Sequence, residues 1–207
     1  MAAQVKVMQI IARMNVGGPA VIVAELMRGL DKSAFEQILV TGYCDENEAD
    51  YLDTVATDIK ATRIAGLGRS VSLIADLKAF FGLVSLIRKY KPDVIHTHTA
   101  KAGVLGRLAS LLAGRGAVRV HTFHGHLLDD PEFSGFKSKV IIEVERMLAK
   151  KAAKLVTVGR RVADELLEQR IGKKDQYINI PPGVVALNIT PRTEALKNLG
   201  LTDNGQQ

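Results

Sequence analysis

The stretch KPDVIHTHTAKAGVLGRLAS, residues 91–110, decides the fold of this chain. In it, a short apolar strand at Val94 leads into the polar run His96-Thr97-His98-Thr99, and a helix start follows at once. In an open parallel sheet, ligands bind outside the carboxyl ends of the strands. The stretch therefore predicts a ligand-binding edge with imidazoles, hydroxyls and a helix N-terminus. The rest of the chain is expected to supply βα units around it.

Apolar runs alternate with amphipathic stretches on both sides of this segment. The predicted strands are 5–12, 37–40, 62–64, 94–96, 117–122, 155–158 and 177–180. The predicted helices are 19–30, a short acidic one within 45–58, 71–90, 102–113, 138–152, 162–169 and a short one over 192–199. Such alternation predicts an α/β fold, a Rossmann-like parallel β-sheet with helices on both faces. In the helix over 71–90, the helical period predicts an inward stripe of Leu73, Leu77, Phe80, Val84 and Ile87.

The composition restricts the partners and the compartment. The net charge of +6 and the pI of about 9.5 favour phosphate-bearing partners such as nucleotides, nucleic acids or anionic lipid. No basic run is interleaved with aromatic residues, so single-stranded nucleic acid is disfavoured. The single cysteine, Cys44, excludes an intrachain disulfide and favours a reducing compartment. Neither a signal-peptide pattern nor an apolar run of membrane-spanning length is found.

Two glycines, Gly17 and Gly18, separate the first predicted strand from the first helix. Glycines at this place let a ligand approach the backbone, and a helix N-terminus attracts an anion. The alternative is a tight turn that needs positive φ. The pattern is neither Gly-x-Gly-x-x-Gly nor a P-loop with its lysine, so neither nucleotide fingerprint is met.

All five histidines fall between positions 96 and 126. His96 and His98 are two residues apart on a strand and are expected to point to one face. One interpretation is a metal site in a hydrolase, formed by His96, His98 and His124 with Asp129 or Asp130 as the carboxylate. The other is that His96 and His121 hydrogen-bond neighbouring loops, whereas His124, just past a strand end, contacts a ligand.

Basic residues suggest two further surfaces. Lys101 and Arg107, at the start of a helix, would recognise an anionic group of an acceptor, or form a solvated basic face. The basic amphipathic stretch 138–154 could lie against anionic lipid, although its apolar stripe is expected to face the core.

Several segments, in this order, resemble the acceptor-side domain of family-4 (group 1) glycosyltransferases. The resemblance spans roughly residues 4–200. The segments that carry it are Gly17-Gly18-Pro19-Ala20 with the following helix, the PDVIHTHT-x-KAG-x-LGR block from Pro92 to Arg107, the HT-x-HG loop at His121, the Glu145-Arg146 pair with LVTV from Leu155, and IPPGV from Ile180. The KAG and LGR variant resembles enzymes that build capsular or extracellular polysaccharide and lipid-linked glycans. Gly159 stands where the family usually has Ser, and Ala153 where it often has Asp.

The resemblance implies one half of a GT-B architecture, in which two Rossmann-like domains face each other across a cleft. Residues 1–185 would form the N-terminal domain, and residues 186–207 the linker that leads into a donor-binding domain not contained in this chain. The donor domain of the family carries two glutamates eight positions apart, and no such pair occurs here.

The resemblance also implies the reaction and its partners. A sugar would pass, with retention and without a metal or cofactor, from a UDP- or GDP-linked donor to a glycan or polyprenyl-linked acceptor. The enzyme would work in the cytoplasm at the inner membrane face, where an anionic membrane surface is a further candidate partner, and would not bind nucleic acid. A non-catalytic subunit that pairs with a separate donor domain is an alternative.

The roles of individual residues are carried over from the same resemblance. His124 would be the catalytic residue, hydrogen-bonded to the donor sugar. Gly17 and Gly18 would approach the donor diphosphate or the transferring sugar. The residues expected to face the acceptor are His98, Thr99, Lys101 and Arg107.

Overall fold

Seven parallel strands form one sheet in the computed structural model, which describes residues 3–125, 136–183 and 190–201. In chain order they are β1 (Val5–Ile11), β2 (Phe35–Thr41), β3 (Ala61–Arg63), β4 (Val94–His98), β5 (Val118–Phe123), β6 (Lys154–Thr157) and β7 (Tyr177–Asn179). Their order across the sheet is β3-β2-β1-β4-β5-β6-β7, and every neighbouring pair is parallel. The predicted Rossmann-like α/β sheet is confirmed.

Helices connect the strands close to the predicted positions. They are α1 (Gly18–Gly29), α2 (Tyr51–Thr54), α3 (Leu73–Tyr90), α4 (Ala100–Ala113), α5 (Phe136–Ala149), α6 (Arg160–Glu168) and α7 (Arg192–Asn198). Within the described ranges, no helix combines the length and the apolar character that crossing a bilayer requires.

The core lies on both faces of the sheet. On one face α1 packs through Ala20, Val23 and Ala24 against Ile11 and Leu39. On the other face, α3 and α4 enclose a second cluster; its members from the strands include Met8, Ile10 and Ile95. Alternate residues of β1 thus supply both clusters, as expected for a strand buried on its two sides.

The strand order places a topological switch point between β1 and β4. The chain leaves β1 towards β2 on one side, whereas β4 continues towards β5 on the other. Right-handed connections therefore put α1 and α4 on opposite faces, and the carboxyl ends of β1 and β4 mark the place where sheets of this topology bind ligands. We call the carboxyl ends of β1, β4 and β5 the rim.

The predicted inward stripe of α3 is only partly correct. Val84 and Ile87 are buried and Phe80 is partly buried, but Leu73 and Leu77 are 84% and 52% exposed. The other fully buried positions of this helix are Ala79 and Leu83. The helix carries apolar residues on two sides, and periodicity alone does not show which side meets the sheet.

Candidate functional site

The rim brings together residues that are far apart in the sequence. His98, the last residue of β4, is in register with Ile11 of β1 and Thr122 of β5. His124 follows the end of β5, and Gly17 follows β1. Of the residues predicted to contact donor and acceptor, His98, Thr99 and His124 therefore lie at the carboxyl ends of β4 and β5.

Three histidines form a contiguous cluster on the α1 face of the sheet. The ring centroids of His96 and His98 are 4.1 Å apart, and those of His98 and His124 are 5.2 Å apart. The prediction that His96 and His98 share a face is thereby confirmed. His98 is fully buried, with Nδ1 3.0 Å from Nε2 of His124 and Nε2 3.0 Å from Oε1 of Gln9.

His96 and His121 hydrogen-bond threonines on neighbouring strands rather than the loops that we expected. Nε2 of His96 lies 2.7 Å from Oγ1 of Thr122, and Nδ1 of His121 lies 2.8 Å from Oγ1 of Thr97. Thr97 and His121 are direct register partners on β4 and β5, whereas His96 and Thr122 are diagonal neighbours on the same two strands, so both bonds follow from the sheet itself.

Burial keeps these imidazoles neutral. Desolvation lowers the pKa of His96 and of His124 to about 4, and burial lowers the pKa of His98 and of His121 well below the usual value for histidine. The cluster consequently offers hydrogen-bonding nitrogens at neutral pH, but no positive charge for a diphosphate.

The hydrogen bonds of His98 argue against the metal-site interpretation. Both ring nitrogens of His98 are engaged, so neither lone pair is free for a cation without breaking a bond. Within the described part of the chain, no three side chains of the metal-binding types are grouped for a metal ion. His126, Asp129 and Asp130 lie outside the described residues.

The glycines after β1 are not explained by the backbone turn. Gly17 has φ of 169°, an extended conformation open to any residue, and Gly18 is not a positive-φ position. A Cβ on Gly18 would meet nothing within 4 Å, and one on Gly17 would make only ordinary contacts. The tight-turn interpretation is therefore wrong. Gly17 provides no side-chain cap for α1, whose first turn carries no acidic residue.

Lys101 and Thr99 lie where β4 passes into α4. Nζ of Lys101 is 2.6 Å from Oδ1 of Asp76 and 2.5 Å from the carbonyl oxygen of Ser70, which ties α4 to the start of α3. Oγ1 of Thr99 accepts a hydrogen bond of 3.4 Å from the backbone N–H of Ala12, which links β4 to β1.

Two of the four residues expected at the acceptor surface are buried instead. Arg107 is 1% exposed, and Nη2 lies 2.6 and 2.8 Å from the two carboxylate oxygens of Glu145. Its Nε donates to the carbonyl oxygen of Gly103 at 2.7 Å. Arg107 therefore joins α4 to α5 and does not face an acceptor. His98 faces Gln9 and His124 rather than the surface.

Sequence reasoning missed the roles of Gln9 and Glu145. Gln9 hydrogen-bonds the buried imidazole of His98, and Glu145 pairs with the buried guanidinium of Arg107. A signal for Gln9 was present, because it is a lone amide in the middle of an apolar run from Val7 to Ile11. Glu145 belongs to the Glu145-Arg146 segment of the family resemblance, but only the structure shows that it is buried against Arg107.

An apolar cavity of about 610 Å³ lies between α1 and the strands beyond it. Its lining includes Ile22, Leu26, His96, Thr122, Val156 and Ile180. On the same face of the sheet, Val118, Ile178 and Ile180 are 47%, 41% and 55% exposed. This half of the face is consequently apolar and only partly covered.

Comparison with known proteins adds a family match and similar proteins. The model of the glycosyl transferase 4-like domain matches residues 17–183. The chain is 36% identical over 157 residues to UDP-Gal:alpha-D-GlcNAc-diphosphoundecaprenol alpha-1,3-galactosyltransferase of Escherichia coli. This aligned segment covers 72% of this chain and 38% of that protein. Over 119 residues the chain is 24% identical to the capsular polysaccharide biosynthesis glycosyltransferase CapM of Staphylococcus aureus, covering 58% of this chain and 30% of that one.

A solved structure shares the fold. Anabaena Alr3699/HepE in complex with UDP and glucose matches with a TM-score of 0.69 at 16% identity, covering 95% of this chain and 50% of that chain. The chain thus spans well under half the length of the two curated relatives and about half of this structure.

Proposed function

The chain belongs to the glycosyl transferase 4-like domain family, and on that premise we propose that it forms the acceptor-side half of a retaining glycosyltransferase. The enzyme moves a sugar from a nucleotide sugar, UDP- or GDP-linked, to a lipid-linked glycan acceptor. The observation that carries the proposal is the family match over residues 17–183, which includes the glycines after β1 and the carboxyl ends of β4 and β5. The relative in Escherichia coli, by its name, galactosylates a diphosphoundecaprenol-linked GlcNAc.

In this proposal residues 1–185 form the N-terminal domain, residues 186–207 form the linker, and a second domain binds the donor. Two observations support it. The curated relatives are more than twice as long as the segments that match. The apolar half-face with Val118, Ile178 and Ile180 exposed is unusual for a parallel sheet, which is normally covered on both sides, and a second domain would supply the cover.

The proposed chemistry at the rim requires no metal from this chain. Gly17 and Gly18 have room above them for a phosphate or sugar to approach the backbone. The first turns of α1 and α4 carry no acidic residue and no side-chain cap, so their N–H groups can face the negative charge that develops on the leaving diphosphate. Thr99 and Lys101 remain the acceptor contacts, and His124 contacts the transferring sugar.

The test uses the complete two-domain enzyme. We expect His124→Ala to lower kcat about a hundredfold with a much smaller change in donor KM, because the lost contact acts mainly in the transition state. Residues 1–207 alone should bind nucleotide sugar poorly and show little turnover. An unchanged kcat for the variant, or ready turnover by residues 1–207 alone, would contradict the proposal.

We place the enzyme in the cytoplasm at the inner membrane face, where its acceptor is anchored. The support is the exposed side of α3. Ile74 and Phe81, 71% and 55% exposed, share this side with exposed Lys78, Arg88 and Lys89. Apolar residues beside basic ones suit an anionic lipid surface. The sequence analysis assigned lipid contact to the stretch that forms α5. Among the described residues of α5, only Val140 and Met147 are large, apolar and exposed.

Vesicle sedimentation distinguishes the two helices. We expect the chain to sediment with vesicles that contain phosphatidylglycerol and not with phosphatidylcholine alone. Ile74→Glu with Phe81→Glu should abolish this binding. Val140→Glu with Met147→Glu, at the same spacing on α5, is the matched control and should leave it unchanged. If only the control variant loses binding, the lipid-binding surface is on α5 and not on α3.

A further inference from the structure

A line of polar side chains crosses the apolar interior beneath His124. Nε2 of His124 contacts Nδ1 of His98 at 3.0 Å, and Nε2 of His98 contacts Oε1 of Gln9 at 3.0 Å. Nε2 of Gln9 donates to Oε1 of Gln37 at 3.4 Å. Nε2 of Gln37 donates to the last carbonyls of α1, those of Leu26 and Met27, at 3.3 Å each. We call this line the relay.

The end of the relay at α1 determines the direction of every bond in it. Backbone carbonyl oxygens only accept, so the side-chain NH₂ of Gln37 must face them and its Oε1 must face Gln9. Gln9 then donates with its NH₂ and turns its own oxygen to His98. Reversing either amide would set two acceptors, or two donors, against each other in a buried place where an unmade hydrogen bond costs about 1–3 kcal/mol.

The same logic continues through the two imidazoles. An amide oxygen accepts, so Nε2 of His98 carries the proton and Nδ1 of His98 is a lone pair. Nε2 of His124 must therefore donate to that lone pair. What remains is Nδ1 of His124, which is buried and has no hydrogen-bond partner among the described residues.

We infer that the relay holds His124 in its Nε2–H tautomer, so that Nδ1 is a permanent hydrogen-bond acceptor at the rim, and that Gln9 and Gln37 are positioning residues for it. The group that completes this acceptor must bring a proton, such as a hydroxyl or an amide N–H. A fully ionised phosphate oxygen does not qualify, because it too only accepts.

One consequence rests on the proposed function. If the ligand is a nucleotide sugar, His124 binds a hydroxyl of the sugar, and the diphosphate is left to the backbone N–H groups of the rim. The tautomer of His124 does not depend on any activity of the protein. The inference about the tautomer and the proposed transferase function can therefore be refuted independently.

The experiment measures the histidine tautomers by heteronuclear NMR on residues 1–207 with isotope-labelled histidine near neutral pH. In the unmodified chain we expect both His98 and His124 as single Nε2–H tautomers. A His124 that carries its proton on Nδ1 would overturn the inference without any substitution.

Variants then test the relay. Gln9→Leu removes the acceptor that orients His98, so the single-tautomer signals of His98 and His124 should give way to averaged ones. Gln176→Leu is the control, because the side chain of Gln176 also makes partly buried hydrogen bonds, to the carbonyl oxygens of Ala149 and Ala152, but lies outside the relay. Unchanged tautomers in a folded Gln9→Leu protein, or the same change in the control, would refute a role for Gln9.

Discussion

Thr99 holds a backbone conformation that is normally reserved for glycine. Its φ of 64° and ψ of 158° fall outside the regions open to a β-branched residue. Conformations of this kind cost about 1–3 kcal/mol and persist at functional sites because the surrounding structure imposes them. Thr99 is the junction between β4 and α4 beside the switch point, and its strain therefore agrees with a functional role for this corner.

We expect Thr99→Gly to raise the free energy of unfolding by about 1 kcal/mol, because relief of the strain exceeds the entropic cost of glycine. Urea denaturation of residues 1–207 measures it. Thr62→Gly, at the exposed middle position of β3, is the control and should instead lower stability by about 0.5–1 kcal/mol. A destabilised Thr99→Gly protein would contradict the prediction and mean that the hydrogen bond from the N–H of Ala12, which glycine removes, outweighs the strain.

At the scale of elements, α4 is held unusually close to the sheet. A Cβ built on Gly103 would lie 2.5 Å from Cε1 of His121, and one on Gly106 would lie 2.7 Å from Cγ2 of Thr97. Arg107, which directly follows Gly106, forms an ion pair with Glu145 of α5. The glycines and the arginine of the KAG and LGR segment thus hold the helix in place, and α4 in turn presents Thr99 and Lys101.

A double-mutant cycle measures the contact between α4 and α5. Glu145→Leu leaves the charge of Arg107 buried without a partner and should cost about 3–5 kcal/mol, as should Arg107→Met. The double variant should cost much less than the sum, because both charges are gone. Arg161→Ala breaks the exposed pair with Glu165 and should cost under about 1 kcal/mol. Additive costs in the buried cycle would show that the pair contributes nothing specific.

At the scale of the whole molecule, the four described histidines are held in neutral form on the two faces of one sheet, His98 and His121 buried and His96 and His124 partly buried. Three of them line the α1 face, and His121 lies on the other, where the charge of Arg107 lowers its pKa further. A histidine whose pKa is depressed by folding binds its proton more tightly in the unfolded chain. Its contribution to stability is therefore complete above the unfolded pKa of about 6.5 and is lost as the pH falls.

We expect stability to be constant near neutral pH and to fall steeply between about pH 6.5 and pH 4. Each histidine contributes up to about 1.4 kcal/mol per pH unit in that window. Because a domain has only about 5–15 kcal/mol in total, the chain should unfold before pH 4 is reached. Urea titrations at successive pH values measure the slope. A flat profile down to pH 5 would show that these imidazoles accept protons without unfolding.

The order of strands and helices, the meeting of the strand ends at one edge and the shared face of His96 and His98 could all be predicted from the sequence. These features depend on local periodicity, on glycines between a strand and a helix, and on the rule that strands in a parallel sheet end at one edge. The family resemblance added the expected roles of Gly17, Gly18 and His124, which the tests above address.

Only the tertiary structure decided which side of α3 is buried, that Arg107 reaches Glu145, and that Gln9 reaches His98. The partners in these last two pairs are 38 and 89 residues apart. Periodicity shows which residues share a face, but not which element lies opposite that face. A buried polar group is completed by whatever neighbour the sheet order brings to it, and that order is a property of the folded chain.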